Sequence, residues 1–202
     1  MSDEYGIDLK EGQKGAALLI GAYGRESEEQ CLEHLNELEE LGNTFGVPTV
    51  GRITTNLRKI EAATYVGTGK LEEIREKIGE LKPTLVIFDD EISPAQQRNL
   101  EKHLKIAVMD RTELILEIFA QRAHTKEAQL QIELAQTKYE APRLKRLWSH
   151  FSRQRASGGF LKGEGEKQIE IDRRLLKKKV ERLESQLKEV KKHRAVQRAQ
   201  RD

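Results

Sequence analysis

Thr84-Leu85-Val86-Ile87-Phe88-Asp89-Asp90-Glu91-Ile92-Ser93-Pro94-Ala95-Gln96 runs from an apolar stretch through an acidic turn into a helix start. The run Thr84–Phe88 is too short for a helix and rich in Val, Ile and Leu, which predicts a strand. Ser93 is placed to cap the helix that follows, Pro94 suits its first position, and Gln96 can reach back to close a capping box. Three other runs have the same character: Ala16–Ile20, Val47–Ile53 and Ile106–Met109. Helical patterns alternate with them. Ser27–Phe45 puts Cys31, Leu35, Leu38 and Leu41 on one face; Gly69–Leu81 repeats Leu71, Ile74, Ile78 and Leu81; Pro94–Leu104 is shorter. Asp110-Arg111-Thr112-Glu113 again sets a capping residue three places before a glutamate. Near-continuous apolar strands between helices predict an α/β fold over 1–110, a small parallel sheet of about four strands flanked by helices.

Beyond residue 110 the pattern changes. Arg111–Tyr139 contains no Pro or Gly, and Leu114, Ile118, Ala128, Ile132, Ala135 and Tyr139 form one stripe, interrupted at Gln121 and Thr125. From Gln168 a second stripe carries Ile169, Leu176, Val180, Leu183, Leu187 and Val190, with Arg173 and Arg194 at the remaining seam positions. Two such stripes predict a long antiparallel two-helix hairpin, a coiled coil, over 111–202. Between the stripes, Pro142 is expected to break or kink the first helix. Arg143–Gln154 can be helical again around Leu144, Leu147, Trp148 and Phe151. The tip loop is expected over 141–167, and its glycines 158, 159, 163 and 165 open backbone conformations closed to other residues. A connector between antiparallel helices needs roughly 2–8 residues, so a loop this long calls for an explanation.

Of the 202 residues, 35% are charged and 5% aromatic, more charge than one compact globule needs, which fits long solvated helices. No stretch approaches the ~18–20 apolar residues of a membrane span. The acidic start, Met1-Ser2-Asp3-Glu4, lacks a basic-then-apolar export pattern, and a cytoplasmic setting is expected. Cys31 is the one cysteine, which excludes an intramolecular disulfide. The formal net charge of +2 hides a split: 13 basic against 21 acidic residues over 1–110, and 23 against 13 over 111–202. The halves therefore carry −8 and +10, which points the second half toward a polyanion. A solvated coiled-coil surface would be balanced in sign, whereas 138–179 holds 13 basic and 5 acidic residues. Arg and Lys in the tip can meet phosphates, and Phe160 within the glycine run can stack on an unpaired base.

Val66-Gly67-Thr68-Gly69-Lys70-Leu71 is not a Walker A loop, since Thr64 stands where that motif needs its first Gly and Leu71 where it needs Ser or Thr. Gly67, Thr68, Gly69 and Lys70 can hold an anion or nucleotide on a helix start, or be simply a turn and a helix start. Asp89-Asp90-Glu91 follows a strand and can hold magnesium, or be an acidic turn beside a helix N-terminus, the reading preferred. His34, His103, His124, His150 and His193 show no metal-ligand spacing and no partnership with a nucleophile. No catalytic residue and no metal site are assigned.

Several stretches together resemble the N-terminal region of the HflX family of ribosome-associated GTPases. They are Tyr65–Lys70, Phe88–Leu100, Asp110–Phe119, Arg122–Ala128, Gln131–Gln136, Ser152–Gln154, Gly163–Gln168 and Asp172–Arg174, in shared order and spacing. The resemblance runs roughly from residue 15 to 201. In that family a GTPase domain with a Walker A loop follows the hairpin. No Gly-x-x-x-x-Gly-Lys-Ser/Thr occurs in these 202 residues, so GTP and magnesium are expected to belong to that domain and this stretch is not expected to be an enzyme on its own. The resemblance implies binding to the large ribosomal subunit and its rRNA, in the service of ribosome splitting or rescue. It places Arg153, Arg155, Gly158, Gly159, Lys162, Gly163, Gly165, Glu166 and Gln168 toward rRNA; Phe160 joins them as the aromatic of the loop. It also implies possible ATP binding by the N-terminal domain, for which Gly67–Lys70 is the site at hand.

Overall fold

The computed structural model of the protein describes residues 15–24, 27–155 and 164–199, with side chains over 15–24, 27–141 and 174–194. The chain forms two compact units, Met1–Ile118 and Phe119–Asp202, where the sequence suggested a division at 110/111.

The first unit alternates β1 (Ala17–Tyr23), α1 (Glu28–Phe45), β2 (Thr49–Asn56), α2 (Thr68–Leu81), β3 (Leu85–Phe88), α3 (Pro94–Leu104), β4 (Ala107–Asp110) and α4 (Arg111–Arg122). The strands pair in the order β2-β1-β3-β4, all parallel. Because successive side chains point to opposite faces, β1 and β3 feed two cores at once. Leu18, Ile20, Val86 and Phe88 meet Leu71, Ile74 and Leu100 on one side, while Ala17, Leu19, Leu85 and Ile87 meet Cys31, Leu35, Leu38, Leu114 and Ile118 on the other. All of Leu85–Phe88 is buried, as a strand covered on both faces requires.

Local chemistry sets the helix ends. Ser27 with Gln30 and Ser93 with Gln96 each form a complete capping box. The Asp110 carboxylate caps α4, accepting from the Glu113 N–H at 2.9 Å and the Ile92 N–H at 3.3 Å. Gly46, in the left-handed region at φ 97°, ends α1 and lets its N–H reach back to the Gly42 carbonyl.

In the second unit the helix expected through Arg111–Tyr139 is broken at 123–125. Thr125 restarts it as α5 (Lys126–Arg155), with its hydroxyl accepting from the Ala128 N–H at 3.2 Å. Leu114 and Ile118 of the expected stripe are buried and Ala128, Ile132 and Tyr139 half-buried, but Ala135 is exposed, and Leu130 and Thr137, outside that stripe, are the buried residues among those described in α5. The second stripe fares better; in α6 (Glu164–Ala199), Leu183 is buried and Leu176, Val180, Leu187 and Val190 are half-buried. Ion pairs join the two helices: Glu127 with Arg194, Lys138 with Glu184 at 2.8 Å, and Glu133 with Lys179 at 3.3 Å. The Lys138–Glu184 and Glu133–Lys179 pairs are exposed and contribute little each, while Glu127 is partly buried beside an exposed Arg194. The helices also reach into the loop expected over 141–167. The first runs through Pro142 to Arg155, and the second begins at Glu164.

Two outcomes test this packing. A Cβ on Gly21 would fall 2.7 Å from Cys31 Sγ and 3.0 Å from Leu35, so Gly21→Ala should cost about 1–3 kcal/mol in urea unfolding. Burial pushes the Glu101 carboxyl above its ordinary range, while the Val108 N–H and Arg98 pull it down. The folded state therefore binds this proton more tightly than the unfolded chain. Its contribution is most favourable below the ordinary glutamate pKa and is lost as pH rises through the folded value. Glu101→Gln, which keeps an acceptor for Val108, should remove that loss and flatten the stability profile as pH rises above the ordinary glutamate range in urea melts.

Candidate functional site

The strand order reverses direction between β1 and β3, and open α/β sheets take their ligands beside such a reversal, at the carboxyl ends of the strands. The residues at that edge fall into three groups.

The first joins α1, the end of β3 and the start of α4. Asp89 accepts from Arg111 Nη1 at 3.0 Å and lies 3.7 Å from His34 Nδ1. Arg111 Nη2 donates to Glu37 at 2.6 Å. Glu37 raises the Arg111 guanidinium above its ordinary pKa, and Arg111 in turn holds the Glu37 carboxyl below the usual range.

The second group turns the other way. The Tyr65 hydroxyl pairs with Asp90, and burial first, then Asp90, drives it above the ordinary phenol range. Tyr65 is itself unusual, a buried non-glycine residue at φ 66°, its ring set edge-on to Phe88 at 6.0 Å between centroids. Backbone strain of this kind costs of order 1–3 kcal/mol and persists only where surroundings impose it. Asp89 and Asp90 therefore serve different partners. Among the described residues, no group of three or more His, Cys, Asp or Glu could hold a metal ion. The magnesium alternative for Asp89–Glu91 gains no geometry here.

The third group is Gly67–Lys70. Gly67 is the N-cap of α2, at an ordinary φ of −70° and without a side-chain cap bond. Lys70 does not stand free; its Nζ donates to the Thr54 carbonyl at 3.2 Å and pairs with Glu73 at 2.6 Å. An open groove of about 540 Å³ lies beside it, lined by Thr55, Asn56, Leu57, Arg58, Lys59, Glu61, Gly67 and Lys70.

The tip residues named from sequence divide by position. Arg153 and Arg155 lie in the last turn of α5, and Gly165, Glu166 and Gln168 in the first turns of α6. Gly158, Gly159, Phe160, Lys162 and Gly163 lie outside the described residues. Sequence reasoning missed the Arg111 tie and the left-handed Tyr65. A cap-start arginine gives no hint of a distant carboxylate, and no local pattern marks a tyrosine for positive φ.

The comparisons define a class. The family model described as "GTP-binding GTPase N-terminal" matches residues 32–120, and the one described as "GTP-binding GTPase Middle Region" matches 122–201. The chain belongs to this GTPase family and corresponds to the N-terminal region of its HflX members. It is 48% identical to GTPase HflX of Chlamydia pneumoniae over 200 residues, taking in 96% of this chain and 42% of that protein. With GTPase HflX of Escherichia coli K12 the identity is 43% over 178 residues, 88% of this chain and 41% of the relative. The chain thus spans less than half the length of these relatives. A GTP-binding protein from the archaeon Sulfolobus solfataricus, solved in complex with GDP, has the same fold: TM-score 0.60 at 22% identity, over 88% of this chain and 46% of that one. No helix among the described residues is long and apolar enough to cross a membrane.

Arg111→Ala should free Asp89 from its cation and loosen α1 from β3. The expected loss is about 1 kcal/mol in urea unfolding, reduced from a buried pair's value by solvent exposure of Glu37. Arg111→Lys should recover only part of it, because an ammonium cannot bridge two carboxylates as a fork.

Proposed function

We propose that this chain is a noncatalytic module that binds the large ribosomal subunit through its rRNA, with α5 and α6 forming an antiparallel hairpin that carries the contact. One observation carries the reading: the charge split, −8 over 1–110 and +10 over 111–202, within a chain that belongs to a GTPase family. The two helices, 30 and 36 residues long, span roughly 45–54 Å, so their shared end can reach far from its base. The ion pairs support the antiparallel course: from Glu127 to Lys138 the partners step back from Arg194 to Glu184. The Glu133–Lys179 pair lies off that register.

In this reading Arg153, Arg155 and Lys162 neutralise rRNA phosphates and Phe160 stacks on an unpaired base. Gly158, Gly159, Gly163 and Gly165 let backbone approach the RNA, with Glu166 and Gln168 beside them. GTP hydrolysis, with its magnesium, is the work of the HflX GTPase domain rather than of these residues, and the setting is cytoplasmic. The ATP alternative at Gly67–Lys70 is less well supported, since Lys70 is already engaged by Thr54 and Glu73.

Cosedimentation of the purified chain with large ribosomal subunits across a salt series tests the proposal. Binding should weaken steeply with salt, as counterion release requires. Replacing Ser157–Gly165 by a short turn should weaken it by at least tenfold. Undiminished binding by that variant would sink the hairpin assignment.

A further inference from the structure

The connection from β2 to α2, residues 57–67, is long for a βα loop, which typically takes about 2–6 residues. It is also held firmly. Gln96 Nε2 donates to the Glu61 carbonyl at 2.9 Å and Asn99 Nδ2 to the Ala63 carbonyl at 2.8 Å. Glu61 and Tyr65 pair backbone to backbone, and Tyr65 is locked by Phe88 and Asp90 at a strained φ. A solvated linker needs none of this.

What the loop presents is Arg58, Lys59 and Ile60, consecutive and exposed. Ile60 is 56% exposed, on a loop too well anchored to fold it inward. Arg58 and Lys59 form no ion pair among the described residues, although the unit around them is acidic; Lys70, Lys77 and Arg111 of that unit are paired, while Lys82, Lys102 and Lys105 stand singly rather than as two adjacent cations beside an exposed apolar residue. The groove at the foot of the loop opens onto the first turn of α2, where a Cβ at Gly67 or Gly69 would meet nothing within 4 Å, so a ligand can approach backbone there.

We infer that the 57–67 loop is a second RNA-contacting element, on the α/β unit itself, with Arg58 and Lys59 on phosphates and Ile60 against a base or sugar. The inference deepens the proposed rRNA binding and rests on it for the identity of the polyanion. Two free cations beside an exposed apolar side chain fit RNA better than a lone phosphate, which offers nothing to the isoleucine.

The test uses the full chain and a single-stranded uridylate 12-mer, followed by backbone amide NMR. Amide shifts at Arg58–Ile60 are expected, and they should persist when Ser157–Gly165 is replaced by a short turn. Arg58→Ala/Lys59→Ala should weaken binding by about tenfold in that tip-replaced background. It should also lower the slope of log affinity against log salt by about 1.4, from two lost contacts on a single strand. Thermal unfolding should not change, since both side chains are free. Absent shifts, an unchanged slope, or shifts produced by magnesium-ATP and not by RNA would each overturn the inference. Because this readout needs no ribosome, its failure is distinct from failure of cosedimentation.

Discussion

Everything in the first unit hangs on the double-sided burial of β1 and β3. Ala17–Ile20 and Leu85–Phe88 are buried to within about a per cent, and each strand supplies side chains to both cores. At roughly 1.5–3 kcal/mol for each large apolar side chain, these two strands are the strongest source of stability in the unit. They also fix the polar edge. With β3 in place, Asp89 and Asp90 emerge at its end on opposite faces, one toward Arg111 and the other toward Tyr65.

That edge is built from connections between elements rather than from a pocket of reactive groups. Arg111 links α1 to β3 through Glu37 and Asp89. Asp110 links the β3–α3 turn to the start of α4. Gln96 and Asn99 hold the 57–67 loop from α3. Groups that resemble chemistry in sequence are thus occupied as fasteners, which suits a module that presents surfaces to a partner.

The second unit follows a different physics. Its described core is thin, with Leu130, Thr137 and Leu183 buried and the flanking apolar residues Ile132, Leu176, Val180, Leu187 and Val190 half-buried. Exposed ion pairs add little to that, so stability there depends on a narrow apolar contact along long helices. The net charge of +10 over 111–202 adds self-repulsion to that thin packing.

Much of this was legible in the sequence, for physical reasons. Strands buried on both faces must be apolar throughout, so Thr84–Phe88 and its three counterparts announced the sheet. Capping needs particular side chains at fixed offsets, so Ser93 with Gln96 and Asp110 with Glu113 announced helix starts. The apolar period of α6 matches burial from Leu176 to Val190, where nothing interrupts that helix, although Arg194, read as a seam position, is exposed. The period before it was read across Thr125, whose hydroxyl begins a new helix, so the buried Leu130 and Thr137 were missed while Leu114 and Ile118 were found. Pro142 was read as a break or a kink, and α5 continues through it without a break. Strand order, the Arg111–Glu37–Asp89 tie, the left-handed Tyr65 and the anchoring of Arg58–Ile60 came from tertiary structure alone. Each depends on groups far apart in the chain, and local sequence pattern carries no record of which distant side chain will stand opposite.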